Sequence, residues 1–394
     1  MSRAPAIYLD YNATAPIRPE AQDAAVCALR IGANPSSVHG MGRVARAAVE
    51  MARWQVAGLV NASSEQVIFT SGGTEANRLA VEGAIAKGCR RPIILATEHD
   101  STLRPAMAAG HWTEAWPVSR QGLADLDWLS ERLTRWDKAD GAPFVAVSLA
   151  NSETGVIQDV AAIAALVHAH GGDLHVDAVQ GAGKIAVDMA ALGADTLSLS
   201  GHKLGAPQGV GALVLTPRAK VGPRVVIAGG QERGLRTGTE NVAGIAGFGA
   251  AAEAAHRNLP SAADQTPWRD AAAERLKAEG AIIVGEGAPR LPGVLCAVTE
   301  GFSSELQVMM LDLEGVMVSA GSACSSGKVT HSAVLAAMGL IGVLGDPDAR
   351  LRMGLAGNAV RASGGWATTQ DDWTRFAEVW VAAHQRHHKR RQVA

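Results

Sequence analysis

Between residues 43 and 255 the chain alternates segments of helical and strand periodicity, and few architectures accommodate such a pattern. "GRVARAAVEMARWQVAGLV", "EANRLAVEGAIAK" and "DVAAIAALVHAHG" carry apolar residues at helical spacing. "QVIFT", "RPIILAT", "PFVAVSLA", "DLHVDAV", "TLSLS" and "GALVLT" are short apolar runs of strand length. The alternation predicts an α/β fold, a mostly parallel sheet with helices on both faces. In open sheets of that kind, ligands bind beyond the carboxyl ends of the strands. The residues that follow each strand are therefore the ones to inspect.

After residue 256 the pattern changes. "NLPSAADQTPWRD" reads as a connection into a second unit: a helix ("AAAERLKAE"), strands ("AIIVGE", "GVLCAVT"), a helix ("SSELQVMMLDLEG"), a Ser/Gly loop at 319–329 and further helix. The expected organisation is a large domain over 13–256 and a smaller α+β domain built from 1–12 and 257–394. At 394 residues the chain can bury cores of that size.

Composition excludes several function classes. The chain has 36 Lys and Arg against 38 Asp and Glu, and its basic residues concentrate only in the last stretch, "HQRHHKRRQVA". A nucleic-acid surface is not expected, and that stretch reads as a solvated helix end. No apolar run approaches the roughly 18 residues of a membrane span, and the start lacks the pattern of a secretory signal. A cytoplasmic protein without membrane partners is expected. Of the four cysteines, Cys27, Cys89 and Cys296 read as small buried hydrophobes, with no CxxC pair for zinc or redox work. Cys324 is different.

The strand ends deliver a set of polar groups. After "QVIFT" comes "SGGTEANR", where Gly73 and Thr74 open a helix that offers backbone N–H groups to an anion, although Ser and Thr cap ordinary helices equally well. His99 follows the next strand, Asn151 another, and Asp177 with Gln180 a third. After "TLSLS", which ends at Ser200, come His202 and Lys203. An anion site, an imidazole, an amide, a carboxylate and an amine at one sheet edge suit pyridoxal 5′-phosphate. Its phosphate takes the helix start, its pyridine nitrogen the carboxylate, its ring face a flat side chain and its aldehyde the lysine.

The blocks "FTSGGTEANRLA", "TEHDS", "NSETGVIQD", "HVDAVQ", "SGHKLGAPQGVG", "GGQERGLRTGTEN" and "SAGSACSSG" stand in an order and spacing that resembles the cysteine desulfurases of the class V aminotransferase group, nearer the nitrogenase-associated and housekeeping iron–sulfur branch. The likeness runs from "YLDYNATAP" to "VRASGG". It implies the fold type I architecture of pyridoxal-phosphate aminotransferases, with Lys203 as the Schiff-base lysine. Thr74, Ser200 and His202 resemble the phosphate contacts of one subunit, and Thr239 the contact lent by the other subunit of a homodimer. Asp177 resembles the partner of the pyridine nitrogen, Gln180 the donor to the ring phenolate oxygen, and His99 the imidazole stacked on the ring and a carrier of protons. Asn151 and Arg361 resemble the clamp on the substrate carboxylate. Cys324 resembles the nucleophile that takes sulfur from L-cysteine, leaving L-alanine, and passes it to an acceptor or iron–sulfur scaffold protein.

The residues around Cys324 agree with that role. "SAGSACSSGKVT" surrounds one thiol with Ser, Gly and Ala, residues of a solvent-reaching loop in which a free thiol is an oxidation liability unless it is used. Departures from the family pattern are Ala206, Pro207 and Gln208 after the lysine, the loop "VSAGSACSSG", and Trp366 after the carboxylate arginine. The first two touch no catalytic position. A selenocysteine lyase or an aminotransferase of the same fold remains as the alternative, ahead of a non-enzymatic sulfur carrier. An aminotransferase would have no need of Cys324 in such a loop.

Overall fold

In a computed structural model, residues 6–108, 113–219, 229–321, 332–340 and 357–393 are described. The chain opens with a two-residue strand, β1 (Ile7–Tyr8). It then builds β2 (Val67–Thr70), β3 (Ile93–Leu95), β4 (Glu114–Trp116), β5 (Phe144–Ser148), β6 (Asp173–Asp177), β7 (Thr196–Ser200) and β8 (Gly211–Leu215). The last seven form one sheet in the order β2-β8-β7-β6-β5-β3-β4. All pairs are parallel except those of β8, which runs against both β7 and β2.

This mostly parallel sheet has the form the alternation predicts. Its central strands are buried on both faces, as continuous apolar runs require, and pack into one core with Val56, Val147, Val176, Leu197 and Phe248. Helices α1 (Pro19–Ile31) and α2 (Gly40–Leu59) lean on the helix Val242–Arg257. Glu232 pins the neighbouring turn. It takes a bidentate ion pair from Arg53 at 2.7 and 2.8 Å and the main-chain N–H of Phe69 at 2.8 Å. At 7% exposure, that carboxylate is satisfied chiefly by these three donors.

A second sheet, of four strands, comprises Ser319–Ala320, Ala359–Ser363, Val294–Val298 and Ile282–Ile283 in that order, and is antiparallel throughout. It packs on Trp373, Phe376 and Trp380 of the last helix, Gln370–Val393. β1 pairs with Val316–Met317 near this sheet. The strand that ends in Ser363 carries Arg361 inward, 2% exposed.

One sequence expectation needs correction. Cys27 is exposed, because the buried positions of α1 are Ala21 and Ala28, and Cys27 falls on the outer side with Val26 and Leu29. Cys89 and Cys296 are buried as expected, and burial pushes their thiols up to about 11 and about 12. The basic end of the chain is the solvated helix end the sequence suggests, with Arg386, His388, Lys389 and Arg390 exposed, but two of its imidazoles pack. His384 stacks on Trp380 at 5.2 Å between ring centroids and His387 on Phe302 at 5.0 Å, so the imidazoles of that helix extend the aromatic core.

Candidate active site

The carboxyl ends of β2, β3, β5, β6 and β7 open into one cavity of about 630 Å³. Its walls include Gly73, Thr74, His99, Asn151, Asp177, Gln180, Ser200, His202, Lys203 and Arg361, ten of the residues singled out from the sequence. Thr239 is described but exposed and does not line this cavity. Cys324 lies outside the described residues.

Helix α3 (Gly73–Ala86) starts at the cavity wall, and no side chain caps its first turn from the N-cap position, Gly72. The first N–H groups of a 14-residue helix thus face the cavity, together with the positive end of its dipole. Gly73 is required there. A Cβ at this position would stand 2.7 Å from Val179 Cγ2 and 3.3 Å from Ser200 Cβ, so only glycine lets the helix start close on the ends of β6 and β7.

Asp177, 7% exposed, ends β6 at the cavity floor. It accepts from Asn77 Nδ2 at 2.7 Å and from the N–H of Val179 at 2.9 Å. Lys203 closes the opposite side, on the short turn Gly201–Leu204 that follows β7. Its Nζ donates to the carbonyls of Asn12 at 2.5 Å and Ala13 at 2.7 Å. Two main-chain carbonyls thus hold the amine in place. Beside it, burial and then the Lys203 charge push His202 down to about 4, so its imidazole is neutral at physiological pH.

Asn12 gathers this corner. Its carbonyl also accepts from Gln180 Nε2 at 3.0 Å, and its Oδ1 accepts from Lys184 Nζ at 2.5 Å. Lys184 donates in addition to Gln180 Oε1 at 2.9 Å, which fixes which end of that amide is the donor. Burial, then the charges of Lys203 and Arg361, push the Lys184 amine well below its ordinary range.

Two further groups face the cavity from the other wall. Asn151 spends one N–H on the carbonyl of Thr97 at 3.1 Å, while its Oδ1 accepts from the N–H groups of Glu153 and Thr154. Arg361 pairs with Asp10 at 2.6 Å and donates to the Ser152 carbonyl at 3.2 Å. Its Nε is buried with no partner among the described residues, an orphaned donor in a site suited to carboxylates.

Glu153 is buried below Arg361. Its Oε2 accepts from Ser332 Oγ at 2.6 Å, and a Cβ on Gly321 would stand 3.0 Å from the same oxygen. Glu153 thus sits against residues on both sides of the segment that holds Cys324. Burial pushes its carboxyl up to about 7, against the Ser332 bond and Arg361. A carboxyl raised on folding contributes stability that is complete below its unfolded value near 4.5 and is lost as pH rises through about 7. Relative to Glu153→Gln, the wild-type protein is expected to lose ~1–3 kcal/mol of stability between about pH 5 and about pH 8. Urea unfolding of both proteins at the two pH values checks this, and parallel midpoints would contradict it.

Asp10, Asn12, Asn77, Ser101, Glu153 and Lys184 escape the reading of strand ends. Asn77 carried the best signal, a polar residue on the face of α3 that otherwise buries Gly73, Ala76 and Ala80. Asp10 and Asn12 stand in "YLDYNATAP", far in sequence from every strand end they serve.

The residues fit pyridoxal 5′-phosphate. A helix start with no side-chain cap, a carboxylate at the floor, an imidazole at the wall and an amine opposite line one cavity, and a glycine keeps the anion end open.

Comparison with known proteins agrees with this geometry. The family model described as aminotransferase class-V matches residues 7–376. The cysteine desulfurase IscS of Dictyoglomus turgidum is 36% identical over 359 residues, 89% of this chain and 90% of that protein. Among solved structures, a NifS-like protein from Rickettsia africae superposes with a TM-score of 0.85 at 30% identity, covering 96% of this chain and 99% of that one. SspA in complex with cysteine superposes with a TM-score of 0.74 at 25% identity, over 91% of this chain and 98% of that one. A match over nearly the whole length, at this identity and with this fold, makes the chain a member of the aminotransferase class-V family.

Proposed function

We propose that the protein is a pyridoxal-phosphate-dependent cysteine desulfurase that converts L-cysteine to L-alanine and keeps the sulfur as a persulfide on Cys324. The observation that carries the reading is the convergence of five strand ends on one cavity, in a chain whose relatives are named cysteine desulfurases. Pyridoxal 5′-phosphate, when bound, supplies an aldehyde for an amine and a protonated ring that draws electrons from the substrate α-carbon.

The chain's own residues supply the rest. The α3 start with Thr74, Ser200 and His202 would hold the phosphate. Asp177 would favour a proton on the ring nitrogen, Gln180 would donate to the ring oxygen, and His99 would flank the ring. Arg361, with Asn151, holds the substrate carboxylate, which fixes the bond to be broken. Lys203 Nζ moves the substrate α-proton. Cys324, as thiolate, forms a bond to the substrate sulfur while the carbon–sulfur bond breaks. The electron pair stays with the three-carbon fragment, which gains a proton and leaves as alanine.

A homodimer completes the phosphate site through the partner's copy of Thr239. An exposed apolar surface on α1, α2 and the segment joining them supports it: Leu29, Val38, Met41, Val44, Met51 and Trp54, with Val38 89% and Trp54 62% exposed. That is more apolar surface than a solitary chain ordinarily shows to water. The sulfur then passes to an acceptor or scaffold protein for iron–sulfur cluster assembly in the cytoplasm. No described helix is long and apolar enough to cross a membrane.

The test is product analysis with the purified protein, L-cysteine and a thiol reductant. Equal alanine and sulfide are expected, and consumption of an amino acceptor with no sulfide released would replace desulfuration by transamination.

A further inference from the structure

Behind the cavity wall a chain of hydrogen bonds joins Asp177 to His99 through Asn77 and Ser101. Asp177 accepts from Asn77 Nδ2 at 2.7 Å, so the amide end of Asn77 faces the carboxylate. The second N–H of the same nitrogen goes to Ser101 Oγ at 2.9 Å. Asn77 Oδ1 lies 2.9 Å from His175 Nε2, which must therefore be the donor. Burial pushes His175 down to about 4, against the pull of Asp177 and Thr196, and its Nδ1 lies 2.8 Å from Thr196 Oγ1. Asn77 is 1% exposed and His175 fully buried, so water does not compete for these bonds.

Ser101 stands next in the chain. Its hydroxyl already accepts from Asn77, and its own proton has His99 Nδ1 at 2.8 Å as acceptor. The main-chain N–H of Ser101 points at the same nitrogen from 3.0 Å. Two donors aimed at Nδ1 leave no room for a proton there. The ring proton belongs on Nε2.

We propose that Ser101, oriented by Asn77, is a positioning residue that holds His99 in the tautomer with Nδ1 as acceptor and the proton on Nε2, and that this arrangement ties the imidazole to the Asp177 carboxylate. Adding a second proton to His99 would set an N–H against the Ser101 N–H and turn its hydroxyl away. The network therefore keeps the imidazole neutral. The charged or titratable groups that share its cavity are Glu75, Asp177, His202, Lys203 and Arg361, and Glu98 precedes it in sequence. What His99 does with its proton rests on the desulfurase reading; the tautomer does not.

The experiment uses the full chain with its cofactor, labelled with ring-¹⁵N histidine, with His99 assigned by its loss in His99→Gln. Nitrogen shifts read the tautomer directly. Wild type is expected to show an unprotonated Nδ1 and a protonated Nε2, Ser101→Ala a mixed or protonated ring, and Ser101→Thr, which keeps a hydroxyl, the wild-type pattern. A proton on Nδ1 in wild type, or an unchanged pattern in Ser101→Ala, overturns the proposal. In the pH profile of alanine formation, the acid limb should move up by about one unit in Ser101→Ala and return in Ser101→Thr, since one lost hydrogen bond is of that size. A rate lowered equally at every pH would instead give Ser101 a merely structural role. If wild type forms no alanine from L-cysteine, the proposed function fails while the nitrogen shifts still decide the tautomer.

Discussion

Lys203→Ala protein is expected to form alanine from L-cysteine roughly 10³-fold more slowly than wild type, or not at all, because both the covalent attachment and the proton carrier go with one amine. The geometry makes the effect local. Lys203 follows β7 on a four-residue turn, and its Nζ is held by the carbonyls of Asn12 and Ala13. After truncation those carbonyls are not stranded, since the Asn12 oxygen keeps the Gln180 amide and the cavity admits water. The fold should therefore survive. Borohydride treatment separates this account from general damage: it should fix the cofactor to wild-type chains and leave Lys203→Ala chains unmodified. Lys203→Arg should fail as well, because a guanidinium stays protonated and cannot take up the α-proton. Near-normal rates in either variant would remove Lys203 from the chemistry.

Cys324→Ser protein should lose alanine formation by roughly 10³-fold while keeping its cofactor and its melting temperature, since a hydroxyl is a far weaker nucleophile toward sulfur than a thiolate. Cys324 is the single cysteine set among Ser and Gly. Cys89 and Cys296 are buried thiols pushed up to about 11 and about 12, which makes them poor substitutes. Cys27 is exposed but belongs to α1, away from the cavity-lining residues. The same variant discriminates among the activities open to this fold, because a selenocysteine lyase or an aminotransferase would retain its rate.

The layout of the sheet was readable because each buried parallel strand is a short apolar run and each is followed by small or polar residues. His99, Asn151, Asp177 and Lys203 needed only the rule that such ends converge. β4, with an alternating and partly charged "EAW", offers no such run. Positions set by packing across the chain were harder. Asn12 reaches Lys203, Gln180 and Lys184 from the first strand region, and Ser101 meets Asn77 across 24 positions. Nothing local in the sequence announces either contact. Cys27 illustrates the converse error: its Ala-rich surroundings look like core, yet the α1 face that carries it is turned outward.

Mass spectrometry of the peptide containing Cys324, after one turnover with L-cysteine and no reductant, decides whether sulfur leaves the substrate for Cys324. The mass of one added sulfur atom is expected on that peptide, removable by thiol, with one alanine released per site. Alanine release with the sulfur on another cysteine, or free sulfide with an unmodified Cys324, would contradict that transfer.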